Sequence, residues 1–158
     1  MMKHLLRLTL FAAIVLTAAS CDRKSETTEV LDVTAHNVSG VWQLVEWSGG
    51  SLAEGTYVYM ELTRRDREFT IYDNLTSFSA RCRTGRYNIV IDEDYGTAVI
   101  RGQYNYGTGD WQHRYKVTGL TATGMTWTAV DDPDDVSVYR RCDAVPQYIL
   151  DELPAKKE

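Results

Sequence analysis

Few residues in this sequence have the types and spacing that chemistry needs. There are three histidines and three cysteines in 158 residues. His113 is the one histidine set within a strand-like run of the folded part; His36 lies in a polar segment near the N-terminus. Acyl-transfer chemistry needs a nucleophile beside a base that a third group orients. No G-x-S-x-G or comparable motif accompanies His113, which reads as a satisfied barrel or loop residue. Two acidic runs, Asp92–Gly96 and Asp131–Asp135, offer oxygen donors. Neither has calcium-loop spacing with its terminal bidentate Glu, and no Cys/His cluster has zinc spacing. The sequence therefore predicts no enzyme activity, no metal and no cofactor.

The cysteines carry more. Residues 1–20 begin with Lys3 and Arg7 and no acid, then run apolar to a small-residue end, Ala18-Ala19-Ser20, directly before Cys21. A charged start and an apolar stretch too short for a comfortable span predict a signal peptide. The small residues before Cys21 resemble a bacterial lipobox, with Ala18 where Leu is commonest. That resemblance implies an acylated Cys21, with palmitate-type chains holding the protein on a lipid bilayer. It implies a place in the bacterial cell envelope, and the outer membrane is the expected location. Cys82 and Cys142 are then left in an oxidising compartment, where a disulfide between them is expected over two unpaired thiols. Removing residues 1–20 takes away two bases and no acid, so 15 bases face 22 acids and the net charge goes from −5 to −7. An acidic chain excludes the clustered basic footprint of a nucleic-acid binder.

The elements that position these residues are strands. Asp22–Asn37 is polar and charged and reads as a flexible tether within a segment at 21–37. From Gly40 on, short runs rich in β-branched and aromatic residues alternate with turn residues. They are Val41–Trp47, Thr56–Thr63, Arg67–Asp73, Ser77–Arg83 with Gly85–Asp92, Thr97–Tyr104, Trp111–Thr118, Gly124–Val130 and Val136–Cys142. Thr84-Gly85 is either a turn or a kink in one long strand. The period of two predicts an all-β domain at 38–142, an eight- to nine-stranded antiparallel up-and-down β-barrel. In the segment at 143–158, Pro146–Leu153 predicts a short C-terminal helix before a polar tail.

Gly40-Val41-Trp42 resembles the G-x-W that opens the first strand of lipocalins, and Val138-Tyr139-Arg140 resembles their last strand. The resemblance, to bacterial lipocalin-like lipoproteins, covers about Val38–Cys142. It implies that Arg140 lies across Trp42 at the closed end, with Arg141 as the rival, and it also fits a Cys82–Cys142 bridge. Alternation predicts an inward, ligand-facing set of Leu44, Met60, Phe69, Ile71, Tyr87, Ile89, Tyr115, Met125 and Trp127, with Ile100 and Val138 beside them. Eight strands enclose room for packed side chains or for one small ligand. Two functions follow. One is a membrane-anchored protein binding a small hydrophobic ligand inside the barrel. The other is a filled barrel acting as an envelope interaction module, which meets a protein or glycan through outer aromatics such as Tyr57, Tyr59 and Tyr139.

Overall fold

The computed structural model describes residues 28–154, apart from 77, 78, 95 and 108. The signal segment and Cys21 lie outside the described residues. Nine strands form one antiparallel sheet: β1 Gly40–Trp47, β2 Gly50–Ser51, β3 Val58–Leu62, β4 Glu68–Asp73, β5 Arg81–Asp92, β6 Thr97–Tyr104, β7 Tyr115–Thr118, β8 Gly124–Ala129 and β9 Val136–Cys142. β1 pairs with β9, so β1 and β3–β9 close an eight-stranded barrel with every connection antiparallel. Closure removes the unpaired edges an open sheet would leave. β2 is an extra two-residue strand on the upper half of β1, reached through Ser48-Gly49 with φ of 49° and 79°. Positive φ at both central residues matches the twist of the flanking strands.

Two features of the sequence resolve here. Thr84-Gly85 is a point within one twelve-residue strand, β5. The run expected at Trp111–Thr118 is a strand only over Tyr115–Thr118. Its first part, beyond the short β6–β7 pairing at Val99–Lys116 and Ile100–Tyr115, lies beside the upper half of β6 instead: Trp111 N donates to Gly102 O at 2.9 Å.

A one-turn helix, α1 Ala35–Val38, crosses the end of the barrel where β1 begins. Residues from Leu31 on therefore belong to the folded part, although the sequence placed them in a tether up to Asn37. Leu31 N donates to Leu120 O at 2.8 Å, Leu31 and Val33 pack on the core, and Val38 is fully buried. Thr34 caps α1 by accepting from Asn37 N.

The second helix, α2 Gln147–Glu152, follows Pro146 and lies on the outer wall. Its Ile149 is fully buried against Tyr57 and Tyr59, with Val41, Tyr72 and Cys142 around them. The inner face carries the main core: Trp42, Met60, Phe69, Tyr87, Ile100, Met125 and Trp127.

No disulfide joins Cys82 and Cys142, which corrects the expected bridge. Cys82 lies on β5 opposite Tyr72, and Cys142 lies on β9 opposite Val41. β5 and β9 are four strands apart in a ring of eight, so the two residues sit on opposite sides of the cylinder and both face outward. Four spacings of about 4.8 Å separate them along the wall. A disulfide needs Cα atoms within about 7 Å.

Candidate functional site

The closed end is built around Trp42, which is fully buried and donates its indole N–H to Val38 O at 2.8 Å. The cation over its ring comes from Arg141, with Cζ 4.1 Å from the ring centroid. The expectation of Arg140 in that role is corrected. Trp42 pairs across the ladder with Arg141, and Gln43 pairs with Arg140. Residues opposite each other share a face, so Arg141 points in with Trp42, while Arg140 points out and donates to Gln43 Oε1 at 2.8 Å.

The Arg141 guanidinium also donates to Ser39 O at 2.6 Å and to Asn37 O at 2.7 Å, which are carbonyls at the end of α1. Burial pulls its pKa below the ordinary value for arginine. Gly40 makes the approach possible: a Cβ there would stand 2.5 Å from Arg141 Nη1, and its φ of 128° disfavours other residues.

The same face assignment reverses the whole of β9. Ser137, Tyr139 and Arg141 face inward, and Val136, Val138 and Arg140 face outward, so Val138 leaves the predicted inward set. A slip of one residue exchanges every side chain between faces. The other residues of that set lie on the inner side. Met60, Phe69, Tyr87, Met125 and Trp127 are in the main core, as is Ile100, while Ile71, Ile89 and Tyr115 pack against it. Leu44 is buried on β1 opposite Tyr139.

These residues meet one another. Ring centroids step from Tyr104 to Phe69 at 5.5 Å, Phe69 to Trp111 at 4.9 Å, Trp111 to Trp127 at 5.7 Å and Trp127 to Tyr139 at 5.0 Å. Tyr115 joins Trp127 at 5.6 Å. Such spacings lie within the range of attractive ring pairs. Two glycines on the inner wall make room. A Cβ on Gly85 would meet the Phe69 ring at 2.5 Å, and one on Gly102 would meet the Trp111 indole at 2.2 Å. Trp111 completes the column from the segment between β6 and β7, and its indole N–H is buried with no partner. Burial and the nearby Asp135 push the Tyr115 phenol up, and burial pushes Tyr139 up.

The aromatics expected on the exposed outer surface are not exposed. Tyr57 and Tyr59 are 8% and 7% exposed beneath α2, and Tyr139 faces the interior. Desolvation pushes both buried phenols up.

At the open end, Asp73 is fully buried and takes Arg81 at 2.5 Å and Arg83 at 2.8 Å. Arg83 also lies over the Tyr104 ring at 5.3 Å. Opposite this cluster is a cleft of about 360 Å³ lined by Trp47, His113, Tyr115 and the acids Asp132, Asp134 and Asp135. Trp47 is 48% exposed and donates its indole N–H to Asp135 Oδ1 at 2.7 Å.

A larger crevice, about 590 Å³, opens on the wall where β6 leaves β7. Arg86, Arg101, Gln103, Arg114 and Trp111 line it, and Gln112 and His113 line both cavities. His113 Nδ1 lies 2.8 Å from Asp131 Oδ1, and that hydrogen bond holds Asp131 below its usual carboxylate range. Among the described residues no hydroxyl or thiol is hydrogen-bonded to the His113 ring, and no cluster of three or more potential ligands could hold a metal ion.

The sequence reading missed Arg141, Tyr139 and Trp111 as interior residues, and it missed the arginine-lined crevice. A signal for the first existed: an inward Tyr139 puts an aromatic ring and Arg141 on one face of β9.

The fold defined here is a closed, eight-stranded antiparallel barrel with one extra strand and a C-terminal helix on its outside. No protein-family profile and no curated protein matches the chain. Among solved structures it is similar to a Bacteroides uniformis protein determined by NMR. The TM-score is 0.55 at 17% identity, over 73% of this chain and 98% of that one. The likeness supports the barrel fold.

Proposed function

We propose that this protein is a non-enzymatic interaction module of the bacterial cell envelope. In this reading its barrel is filled, and a glycan or protein partner binds on the outside. One observation carries the reading: the aromatic column from Tyr104 through Phe69, Trp111 and Trp127 to Tyr139 occupies the space a barrel ligand would take. The two cavities described above lie at the rim and on the wall, bordered by Tyr115 and Trp111 of the ring cluster, and both are lined mainly with polar side chains suited to directional contacts. The proposal places the module on a bilayer through an acylated Cys21, as the lipobox resemblance implies, with the outer membrane as its location. Native mass spectrometry checks the anchor: an unmodified Cys21 in protein from the cell would reject it.

The reading with a small hydrophobic ligand inside the barrel has one observation in its favour. Trp111 reaches the interior from a connecting segment, and its indole N–H has no partner there. Such an orphan costs about 1–3 kcal/mol, so a ligand acceptor in its reach would relieve it. A titration with a fluorescent fatty acid separates the readings. The filled barrel gives no saturable signal. One-to-one binding that Trp127→Ala or Tyr115→Ala abolishes would establish the interior ligand.

A further inference from the structure

We infer that the crevice at the β5–β6 wall binds a saccharide bearing an oxyanion, either the carboxylate of a uronic acid or a sulfate. This rests on the proposed outer-surface function and names its ligand class and its site.

Arg86 on β5 and Arg101 on β6 face outward at diagonal positions, since Arg86 is opposite Gln103 and Asn88 is opposite Arg101. Diagonal neighbours on one face stand about 7–8 Å apart, a separation that one oxyanion-bearing ring can span. Neither guanidinium forms an ion pair or a hydrogen bond among the described residues. Glu68 is the register partner of Arg86 on β4, directly across the ladder, and the two side chains form no ion pair among the described residues. Arg114, the third guanidinium of the crevice, has a loose contact with Asp92 at 3.9 Å and also helps to hold Asp131 below its usual carboxylate range.

The contrast lies in how the other cations of the described chain are used. Arg81 and Arg83 hold a buried Asp73, Arg67 donates to Asn88, Arg64 meets His36, Arg140 is held by Gln43 and Arg141 closes the floor of the barrel, while Arg65, alone on the exposed β3–β4 turn, shares the lack of a side-chain partner among the described residues. Two neighbouring guanidiniums left without a counter-ion, in a chain of net charge −5, stand out against that pattern. Like charges side by side repel, and an oxyanion accepting from both reverses the sign of that interaction. A guanidinium presents a planar fork of donors that matches a carboxylate or sulfate in two parallel hydrogen bonds.

The rest of the crevice selects against other anions. Two carboxylates, Asp110 and Asp131, share the lining. They suit a ligand with sparse charges and many hydroxyls better than the continuous phosphate of a nucleic acid. The side chains of Gln103 and Gln112 supply both donors and acceptors for hydroxyl groups. The wall also lacks the deep apolar socket that anchors a peptide side chain.

Titration of the full-length chain with polygalacturonate, heparin and neutral dextran, followed by tryptophan fluorescence and calorimetry, tests the assignment. Binding of at least one acidic polymer is expected, with at least about tenfold weaker binding in Arg86→Gln/Arg101→Gln and a steep loss with salt. Polygalacturonate alone assigns the carboxylate, and heparin alone assigns the sulfate. Both variant positions are exposed, so the melting temperature should stay within a degree or two, which separates lost binding from lost folding. Three results would overturn the inference: equal binding of dextran, unchanged affinity in the double variant, or no binding of either acidic polymer. Preferential binding of single-stranded DNA would overturn it as well. A neutral glycan or an envelope protein captured at the Trp47 rim would leave the outer-surface function standing while removing this site from it.

Discussion

At the closed end of the barrel, the Arg141 guanidinium donates to two carbonyls and lies on an indole whose own N–H is satisfied. At the open end and on the adjoining wall, Trp111 keeps an orphaned N–H, the Arg86 and Arg101 guanidiniums meet no side-chain partner among the described residues, and Trp47 is half exposed. Both regions are built from the same residue types, tryptophan and arginine. The first is matched within the chain, as a structural device must be. The second leaves donors and ring faces over, which is the arrangement a partner can use. Burial decides the difference: Val38, Leu31 and Leu120 pack against the core at the floor, whereas on the other side Trp111 reaches the core from a connecting segment.

The largest expected contrast is between the two tryptophans. Trp42→Ala removes a fully buried ring and should cost about 3–5 kcal/mol in a urea melt. Trp47→Ala removes a half-exposed ring with one hydrogen bond and should cost under about 1 kcal/mol. Equal losses would erase the distinction between floor and rim.

Next come the paired arginines of β9. Arg141→Ala takes away a desolvated cation–π contact and leaves two carbonyls of α1 unmatched, for a loss of about 3 kcal/mol. Arg140→Ala removes an exposed hydrogen bond and should change stability by less than about 0.5 kcal/mol. A reversed order would restore Arg140 as the closing residue.

A smaller effect concerns pH. The folded pKa values of Tyr115 and Tyr139 are raised above 10.0. A raised folded pKa contributes stability that is fully present below the unfolded value and is lost as pH rises beyond it. An absorbance titration at alkaline pH should therefore show a group of tyrosines that ionise only as the barrel unfolds. Smooth ionisation of all ten at an ordinary pKa would show the column to be wet.

The smallest effect is at His113. Its hydrogen bond lowers the exposed Asp131 carboxyl below 3.8, so the contact is present above that pH and lost as pH falls through the depressed value. In carbon-detected NMR, His113→Gln should return Asp131 towards 3.8; no movement would mean the contact is absent in solution.

Much of the barrel was legible because strands announce themselves by a period of two and by turn residues. The eight closing strands and the helix after Pro146 follow from local pattern, whereas Thr84-Gly85 left open whether β5 was one strand or two. The phase of β9 was not legible from alternation alone. Val136 and Val138 look like the inward row, yet they face out, and the inward row is Ser137, Tyr139 and Arg141. The polar members belong there because Arg141 has helix carbonyls to meet inside the floor.

Alternation on β3 misled in the other direction. Tyr57 and Tyr59 lie on the outer face as expected, but α2 buries that face too, and no strand pattern reveals what a distant helix will cover. Trp111 was placed on a strand when it sits on a connecting segment. Its role came from Gly102, whose missing Cβ admits the ring, and that is a tertiary fact. The disulfide failed for a topological reason: the cysteine count is compatible with a pair, and only the strand order puts Cys82 and Cys142 on opposite sides.

The central claim is that the chain's own rings fill the barrel. Xenon-pressurised crystals test it most directly, since xenon enters dry apolar cavities. The account predicts no xenon among Phe69, Trp111 and Trp127 in the native protein, and xenon there once Trp127→Ala opens a void. Xenon bound within the native column would contradict the filled interior, and the outer-surface function would lose its support.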